Sequence, residues 1–286
     1  MIEPTLYTGT HLPAWLWSGQ ADFHLFVSHR RLAGYKRLRP ACVQWALDSG
    51  GFSELSLFGG WRTSPQRYAA AVARYDEQIG RLEWAAPQDW MCEPQITVKT
   101  GLTVAGHQAR TVANFVELTG LWAGFSDSDS PFMPVLQAAP GDADGYLACA
   151  QMYEDAGVHL ADYPVVGVGT VCRIQDTALI GRVARALQPL DLALHWFGVK
   201  LSGLPGIWPP DEAADSLTSF DSMAWSYDAR RGALLPGCKG HKNCANCPAA
   251  ARRWHGRVMA SAAALERRGW QGELFTPAGD CEWTAR

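Results

Sequence analysis

No run of about 18 apolar residues occurs anywhere in this chain of 286, so a membrane-spanning helix is not expected. The opening Met1-Ile2-Glu3-Pro4 lacks the basic head and apolar stretch of a secretory signal, which makes the cytoplasm the expected location. There is no phosphate loop ending in Gly-Lys-Ser/Thr. A dinucleotide fingerprint built on Gly167-Val168-Gly169 would need glycine where Cys172 stands, so nucleotide cofactors are not expected either. Internal repeats and low-complexity tracts are missing, and a net charge of only −3 argues against a general nucleic-acid binder. Eight cysteines in a chain this long do not make a disulfide scaffold. Cys42, Cys92, Cys149 and Cys172 each sit singly in apolar segments and are expected to be buried thiols.

What is present is a hydrophobic content of 48%, enough for one large domain with an appendage. Apolar runs of strand length recur at 23–28, 43–47, 82–86, 132–136, 165–168, 192–199 and 217–220. Their near-continuous apolarity implies strands covered on both faces. Helices are expected between them, one over 66–79 opened by Ser64 and Pro65, another over 98–118. Seven or eight such βα units predict an α/β fold, a (β/α)8 barrel over residues 1–235. The segment 204–210, rich in proline and glycine, breaks the pattern before the last strand. Residues 236–286 form a second unit, a metal knuckle followed by a helix over 249–268 whose apolar face carries Trp254, Val258, Met259 and Leu265.

In such a barrel the chemistry belongs where strands end. The residues there are Asp48, Asp89 (reached through Pro87-Gln88), Gln137, Gly167 and Gly169, His195 and Gly198, and Asp221. Two carboxylates at separate strand ends can break a bond at a sugar carbon, one attacking the anomeric centre while the other moves protons. Asp48 and Asp221 are the candidates. The same residues also fit a plainer reading, with Asp48 opening a glycine turn and Asp221 capping a helix. Gly50-Gly51, like Gly167 and Gly169, lets backbone lie close against a flat ligand. Asp89 and Gln137 can read the edge of a purine-like base, with Trp90 and Met91 at hand to sandwich it or simply to fill core.

Cys238, His241, Cys244 and Cys247 follow one another as Cys-x2-His-x2-Cys-x2-Cys, a set that closes a tetrahedral structural zinc site with no open position. His255 on the following helix is the alternative fourth ligand. Between 229 and 268 there are nine bases against the single acid Glu266, leaving 16 bases and 27 acids elsewhere. A positive edge on an acidic body suits a phosphate backbone, with Arg230, Arg231, Lys242, Arg252 and Arg253 as candidate contacts. A solvated helix surface would have the same composition.

Asp48-Ser49-Gly50-Gly51-Phe52, the later Phe220-Asp221 and the Cys-rich knuckle, in that order, resemble the queuine/archaeosine-type guanine transglycosylases. The resemblance runs from about residue 43 to 257. It implies that Asp221 displaces guanine from C1′ to give a glycosyl ester, that an incoming 7-deazaguanine attacks this ester, and that Asp48 handles the protons. It also implies that Ser49, Asp89, Gln137 and the Gly167 and Gly169 backbone line the base pocket, while the knuckle holds zinc. Departures are visible: Ser222 replaces the family's cysteine, Trp225-Ser226-Tyr227 stands where a Pro-Thr-Arg segment is usual, Ser53 replaces glutamine, and the zinc spacing differs. Together they are most similar to the DpdA branch, which implies DNA as the polymer and a base such as 7-cyano-7-deazaguanine. Helicase-like or nuclease-like companions are then conceivable. The alternatives are the same chemistry on tRNA, or a non-catalytic nucleic-acid-binding barrel.

Overall fold

The structure is a computed structural model and describes residues 4–268 apart from Arg173, Gln175, Lys200 and 208–216. Eight parallel strands make one curled sheet: β1 (Thr5–Thr10), β2 (Leu25–Ser28), β3 (Trp45–Asp48), β4 (Leu82–Ala85), β5 (Val135–Leu136), β6 (Val166–Val168), β7 (Leu194–Trp196) and β8 (Leu217–Ser222). Their order is β4-β3-β2-β1-β8-β7-β6-β5. The two outer strands approach each other through one parallel bridge, Ala85 to Phe132, where Ala85 N donates to Pro131 O at 2.8 Å and Met133 N to Ala85 O at 3.2 Å. That link is a single bridge, not the continuous ladder of a fully closed barrel.

Seven strands fall on the expected apolar runs. β1 does not, because Thr-Leu-Tyr-Thr-Gly-Thr carries no apolar run at all. It is buried nonetheless, and its polar groups find partners far along the chain: Thr8 Oγ1 lies 2.9 Å from His255 Nδ1, and Gly9 O accepts from Trp225 Nε1 at 2.8 Å. A buried polar strand is tolerable only when so satisfied. It matters here because β1 sits between β2 and β8 and sets the register of Tyr7 opposite Asp221.

The helices are α1 (His29–Leu32), α2 (Gly51–Phe58), α3 (Pro65–Ile79), α4 (Pro94–Thr100), α5 (Val104–Trp122), α6 (Ala143–Asp155), α7 (Thr177–Leu187), α8 (Leu204–Ile207), α9 (Ala224–Arg231) and α10 (Pro248–Arg268). α3 opens as its sequence predicts, Ser64 Oγ accepting from Arg67 N at 3.3 Å. The single helix expected over 98–118 is instead two. Gly101 at φ +72° ends α4, and Thr103 caps α5 by accepting from Gly106 N at 3.1 Å. The break at 204–210 begins with α8; its Trp208-Pro209-Pro210, like 269–286 of the C-terminal unit, lies outside the described residues. Cys92 and Cys149 are buried thiols, but Cys42, in the turn into β3, is exposed, and Cys172, on the rim after β6, is half-buried. No described helix is long and apolar enough to cross a membrane.

One hydrophobic cluster runs from the sheet into α10, joining Leu6 and Trp15 to Trp225, Trp254 and Val258. Trp225 is its pivot, stacked on Trp15 with ring centroids 5.5 Å apart and donating to β1. Trp225→Ala should therefore cost about 3–5 kcal/mol in urea unfolding. Trp225→Phe, which keeps a ring but orphans the Gly9 carbonyl, should cost roughly 1–3 kcal/mol. Wild-type stability in both would contradict this account.

Candidate active site

On the carboxyl side of the sheet the strand ends enclose a cavity of about 690 Å³, in the range of small-molecule sites. Asp48, Ser49, Asp89, Gln137, Gly169 and Asp221 all line it, although they come from five different βα connections. Gly50 and Gly167 do not. Gly50 lies behind the wall with its amide donating to Asp48 Oδ1 at 2.9 Å, and Gly167 packs against Phe197, Val135 and Met133. Trp90 faces away from this cavity, whereas Met91 lines it.

Asp221 is inside β8, one residue before its end, and is 8% exposed. It caps no helix: the residue ahead of α9 is Met223, and the Ala224 amide donates to Ser222 Oγ at 3.2 Å. Its Oδ1 accepts from Gly198 N at 2.7 Å. His195 Nε2 stands 3.4 Å from the same oxygen, without hydrogen-bond alignment, while its Nδ1 meets Ser219 Oγ at 2.8 Å. That ring is wholly buried among Trp84, Phe197 and Tyr7 at centroid distances of 4.5, 4.7 and 5.8 Å. Burial lowers its pKa, opposed by Asp221, so the imidazole is held neutral beneath the carboxylate. His195 is legible in the sequence as a strand residue, but its contact with Asp221 is not.

Asp48 closes β3, paired in register with Ser28 of β2. It does make the glycine-turn bond, to Gly50, and it also faces the cavity. Burial raises its pKa, the Gly50 amide, Ser28 and Arg30 pull it down, and the Asp221 charge pushes it up again. The two acids thus sense each other across one space.

Asp89, 7% exposed, is pushed up to about 7, by desolvation first and then by Asp48, against the Gln137 hydrogen bond. Gln137 Nε2 donates to Asp89 Oδ2 at 2.6 Å, Thr170 Oγ1 donates to Gln137 Oε1 at 2.5 Å, and Cys92 N donates to Thr170 Oγ1 at 2.9 Å. Because the Cys92 amide can only donate, this relay has one direction and fixes the Gln137 amide. Thr170 holds it from a left-handed backbone at φ +56°, uncommon for a β-branched residue. Gln137 thus positions Asp89 more than it reaches outward. The Gly169 carbonyl accepts from Tyr146 OH at 2.5 Å, and a Cβ at Gly169 would run into the Gln137 amide.

The basic residues divide. Arg252 is spent on Asp22, Nε to Oδ1 at 3.0 Å, and on the Gln20 carbonyl, in the segment leading into β2 and so toward the rim opposite the cavity. Arg231 stacks over Tyr227 at 5.4 Å. Lys242 and Arg253 are exposed on the knuckle and α10, and neither lines the cavity. Arg230 lies near the mouth, where it and Arg31 lower the pKa of His11 after burial does. Arg30, Arg31 and His11, none of them singled out from the sequence, line the cavity itself. The signal was available as His29-Arg30-Arg31, a basic group directly after a strand.

In the knuckle the four ligand atoms of Cys238, His241, Cys244 and Cys247 lie within 4.8 Å of one another. Cys238 Sγ and Cys247 Sγ are 3.7 Å apart, and His241 Nε2 is 3.4 Å from Cys244 Sγ. A tetrahedral metal with thiolates at about 2.3 Å would set sulfur–sulfur edges of about 3.8 Å, so the donor set fits a metal ion of the zinc type. His255 is not part of it, being bonded to Thr8 and stacked on Phe23 at 4.7 Å.

The family described as "DpdA: DeoxyPurine in DNA protein A" matches residues 2–282. No curated protein matches. Similar solved structures include a Rhizobium etli pyruvate carboxylase variant crystallized without acetyl coenzyme-A, at 14% identity and TM-score 0.37, covering 96% of this chain and 29% of that one. The carboxyl transferase domain of that enzyme with 3-bromopyruvate is similar at 12% identity and TM-score 0.35, covering 96% and 50%. The chain thus spans half or less of these structures.

Ionised Asp89 should weaken the fold. Its native pKa lies above the unfolded one, so its contribution is fully present below pH about 4 and is lost as pH rises through about 7. Asp89→Asn, which keeps an acceptor for Gln137, should be more stable than wild type by roughly 1–3 kcal/mol at pH 8 and little different at pH 4. Equal denaturation midpoints at pH 8 would rule this out.

Proposed function

The chain belongs to the DpdA family, DeoxyPurine in DNA protein A, and from that premise we propose that it exchanges guanine in DNA for a 7-deazaguanine base such as 7-cyano-7-deazaguanine. The observation that carries the reading is the meeting of Asp48 and Asp221 on one cavity wall. Asp221 attacks C1′ of the target nucleotide. The C1′–N9 bond breaks, its electron pair leaves with guanine, and an aspartyl-glycosyl ester forms. Asp48, whose pKa burial raises, protonates the departing base. The incoming deazaguanine then gives up its glycosidic N–H proton to Asp48, and its nitrogen displaces the ester and restores the carboxylate. Two inversions leave the sugar configuration unchanged, and no nucleoside triphosphate is consumed.

The Gly198 amide holds one oxygen of Asp221, which keeps the other for attack, and the neutral His195 ring packs beside that held oxygen. Asp89, fixed by Gln137, and Ser49 take the polar edge of the base, and Gly169 gives it a surface without a side chain. Arg30, Arg31, His11 and Arg230 ring the mouth, where a strand delivering its base would present phosphates. In this reading the sheet works as a (β/α)8 barrel over 1–235. Residues 236–286 form an appended module in which Cys238, His241, Cys244 and Cys247 hold structural zinc, away from the reaction.

Purified protein given labelled 7-cyano-7-deazaguanine should place label in DNA and release guanine; label in tRNA alone, or in neither polymer, overturns the proposal. Asp221→Ala should form no covalent adduct, and Asp48→Asn should slow exchange about 10²–10⁴-fold. An adduct trapped on Asp221→Ala would refute the nucleophile assignment. Metal analysis should find one zinc per chain, and Cys244→Ser should lose it and melt at a lower temperature. A metal-free protein with an unchanged melting temperature would contradict the zinc site.

A further inference from the structure

The segment that follows β4 is a partition. Asp89 and Met91 face the cavity described above, while Gln88 and Trp90, between and before them, line a second pocket of about 460 Å³ on the other side. This second pocket is closed by the α2–α3 connection, Gly59 to Pro65, and by Arg110 and Asn114 of α5. α3 runs back along the sheet from its N-terminus, which places Ser64 and Pro65 at the same rim as the active-site cavity. We propose that this pocket is a second nucleotide site, which holds a nucleotide of the DNA strand next to the one being exchanged. The inference rests on the reading of DNA as substrate.

The lining calls for an anion. It contains Arg62 and Arg110 and no aspartate or glutamate. Each guanidinium lies over an aromatic ring, Arg110 Cζ 4.8 Å from the Trp90 centroid and Arg62 Cζ 3.9 Å from that of Phe58, a cation–π support that helps position a fork for phosphate. The Arg62 backbone amide is tied to Glu54 Oε2 at 2.9 Å, which fixes the loop but leaves the guanidinium outside that bond. The start of the 15-residue α3 adds its positive end. Ser64 and Pro65, its cap and first residue, line the pocket, so that positive end faces it.

A bare phosphate would not use everything in the pocket. Gln88, with no exposed surface, donates Nε2 to Thr63 O at 2.8 Å, and its Oε1 has no partner among the described residues; neither do Trp61 Nε1 and Trp90 Nε1. An acceptor and two indole donors beside two arginines suit a ligand with phosphate oxygens and an amino or hydroxyl group, as a nucleotide has. The shared partition gives such occupancy a consequence. A strand anchored on Arg62 and Arg110 would brace the segment bearing Asp89 from behind, so the site should act on DNA capture and not on the bond-breaking step.

The test compares wild type, Arg62→Ala/Arg110→Ala and Arg62→Lys/Arg110→Lys. Binding of a single-stranded oligonucleotide is measured across salt concentrations, with 2′-deoxyguanosine monophosphate as the free-nucleotide arm. Both arginines are exposed, so the variants should fold. The alanine pair should bind the oligonucleotide about 10-fold or more weakly, with the slope of log K against log salt reduced by roughly 1. Its exchange should show a raised KM for DNA with kcat unchanged, and the lysine pair should recover part of the loss. Unchanged affinity and slope for both ligands would overturn the site. Loss of monophosphate binding alone would show a free-nucleotide pocket and overturn the DNA assignment. If the alanine pair loses oligonucleotide binding while wild-type protein transfers no base to any polymer, the pocket stands and the proposed exchange reaction falls.

Discussion

Four carboxyl groups, those of Asp48, Asp89, Glu93 and Asp221, share the wall of one cavity, and among the described residues no lysine or arginine is close enough to the three aspartates to form an ion pair. Bringing like charges together out of water is costly, and the rest of the site can be understood as ways of offsetting that cost. The means differ for each acid. Asp221 has the Gly198 amide with the neutral His195 ring close by, Asp48 has the Gly50 amide with Ser28 and Arg30 nearby, and Asp89 has the Gln137 amide and its own backbone amide. Asp89 is pushed up to about 7.

Using neutral donors to hold these acids leaves their charge available for chemistry. A lysine or arginine paired with Asp221 would quench its nucleophilicity, whereas the Gly198 amide fixes one oxygen and removes little. The Cys92, Thr170, Gln137 and Asp89 chain works in the same spirit. Each member has its donors and acceptors assigned by the one before it, so Asp89 is held in one orientation although no ion opposes it. Such a network is rigid because no member can rotate without leaving a buried polar atom unpaired. The unusual backbone at Thr170 shows that the local fold tolerates some strain to keep this chain intact.

Charge is distributed by the same logic on a larger scale. The guanidinium groups near the cavity belong to its mouth and to the second pocket, where they remain in contact with water and with any polyanion that approaches. The basic C-terminal segment, which composition makes the obvious candidate, is partly engaged in structure: Arg252 pins α10 to the segment ahead of β2. The knuckle and α10 therefore support β1, through His255 and Trp225, as much as they offer a surface.

Sequence alone identified the kinds of group involved and the local arrangement of one of them. Four ligands within ten residues cannot stray far from one another, so the spacing from Cys238 to Cys247 nearly dictates a metal-sized cluster. Strand-end positions for Asp48 and Asp221 were also legible, because apolar runs mark buried strands and their ends mark the rim. Tertiary structure decided everything that depends on register and on distant partners. β1 is polar and became visible only through residues more than 200 positions away. The seat of His195 under Asp221, the split of the long helix at Gly101, the loss of Arg252 to Asp22, and the back-to-back pockets on either side of Gln88 to Met91 were equally hidden. A sequence pattern fixes which face of an element is apolar, but the contact between two faces is set by how strands slide past one another as the sheet curls. The chain's periodicity leaves that free, and the packing of the whole core determines it.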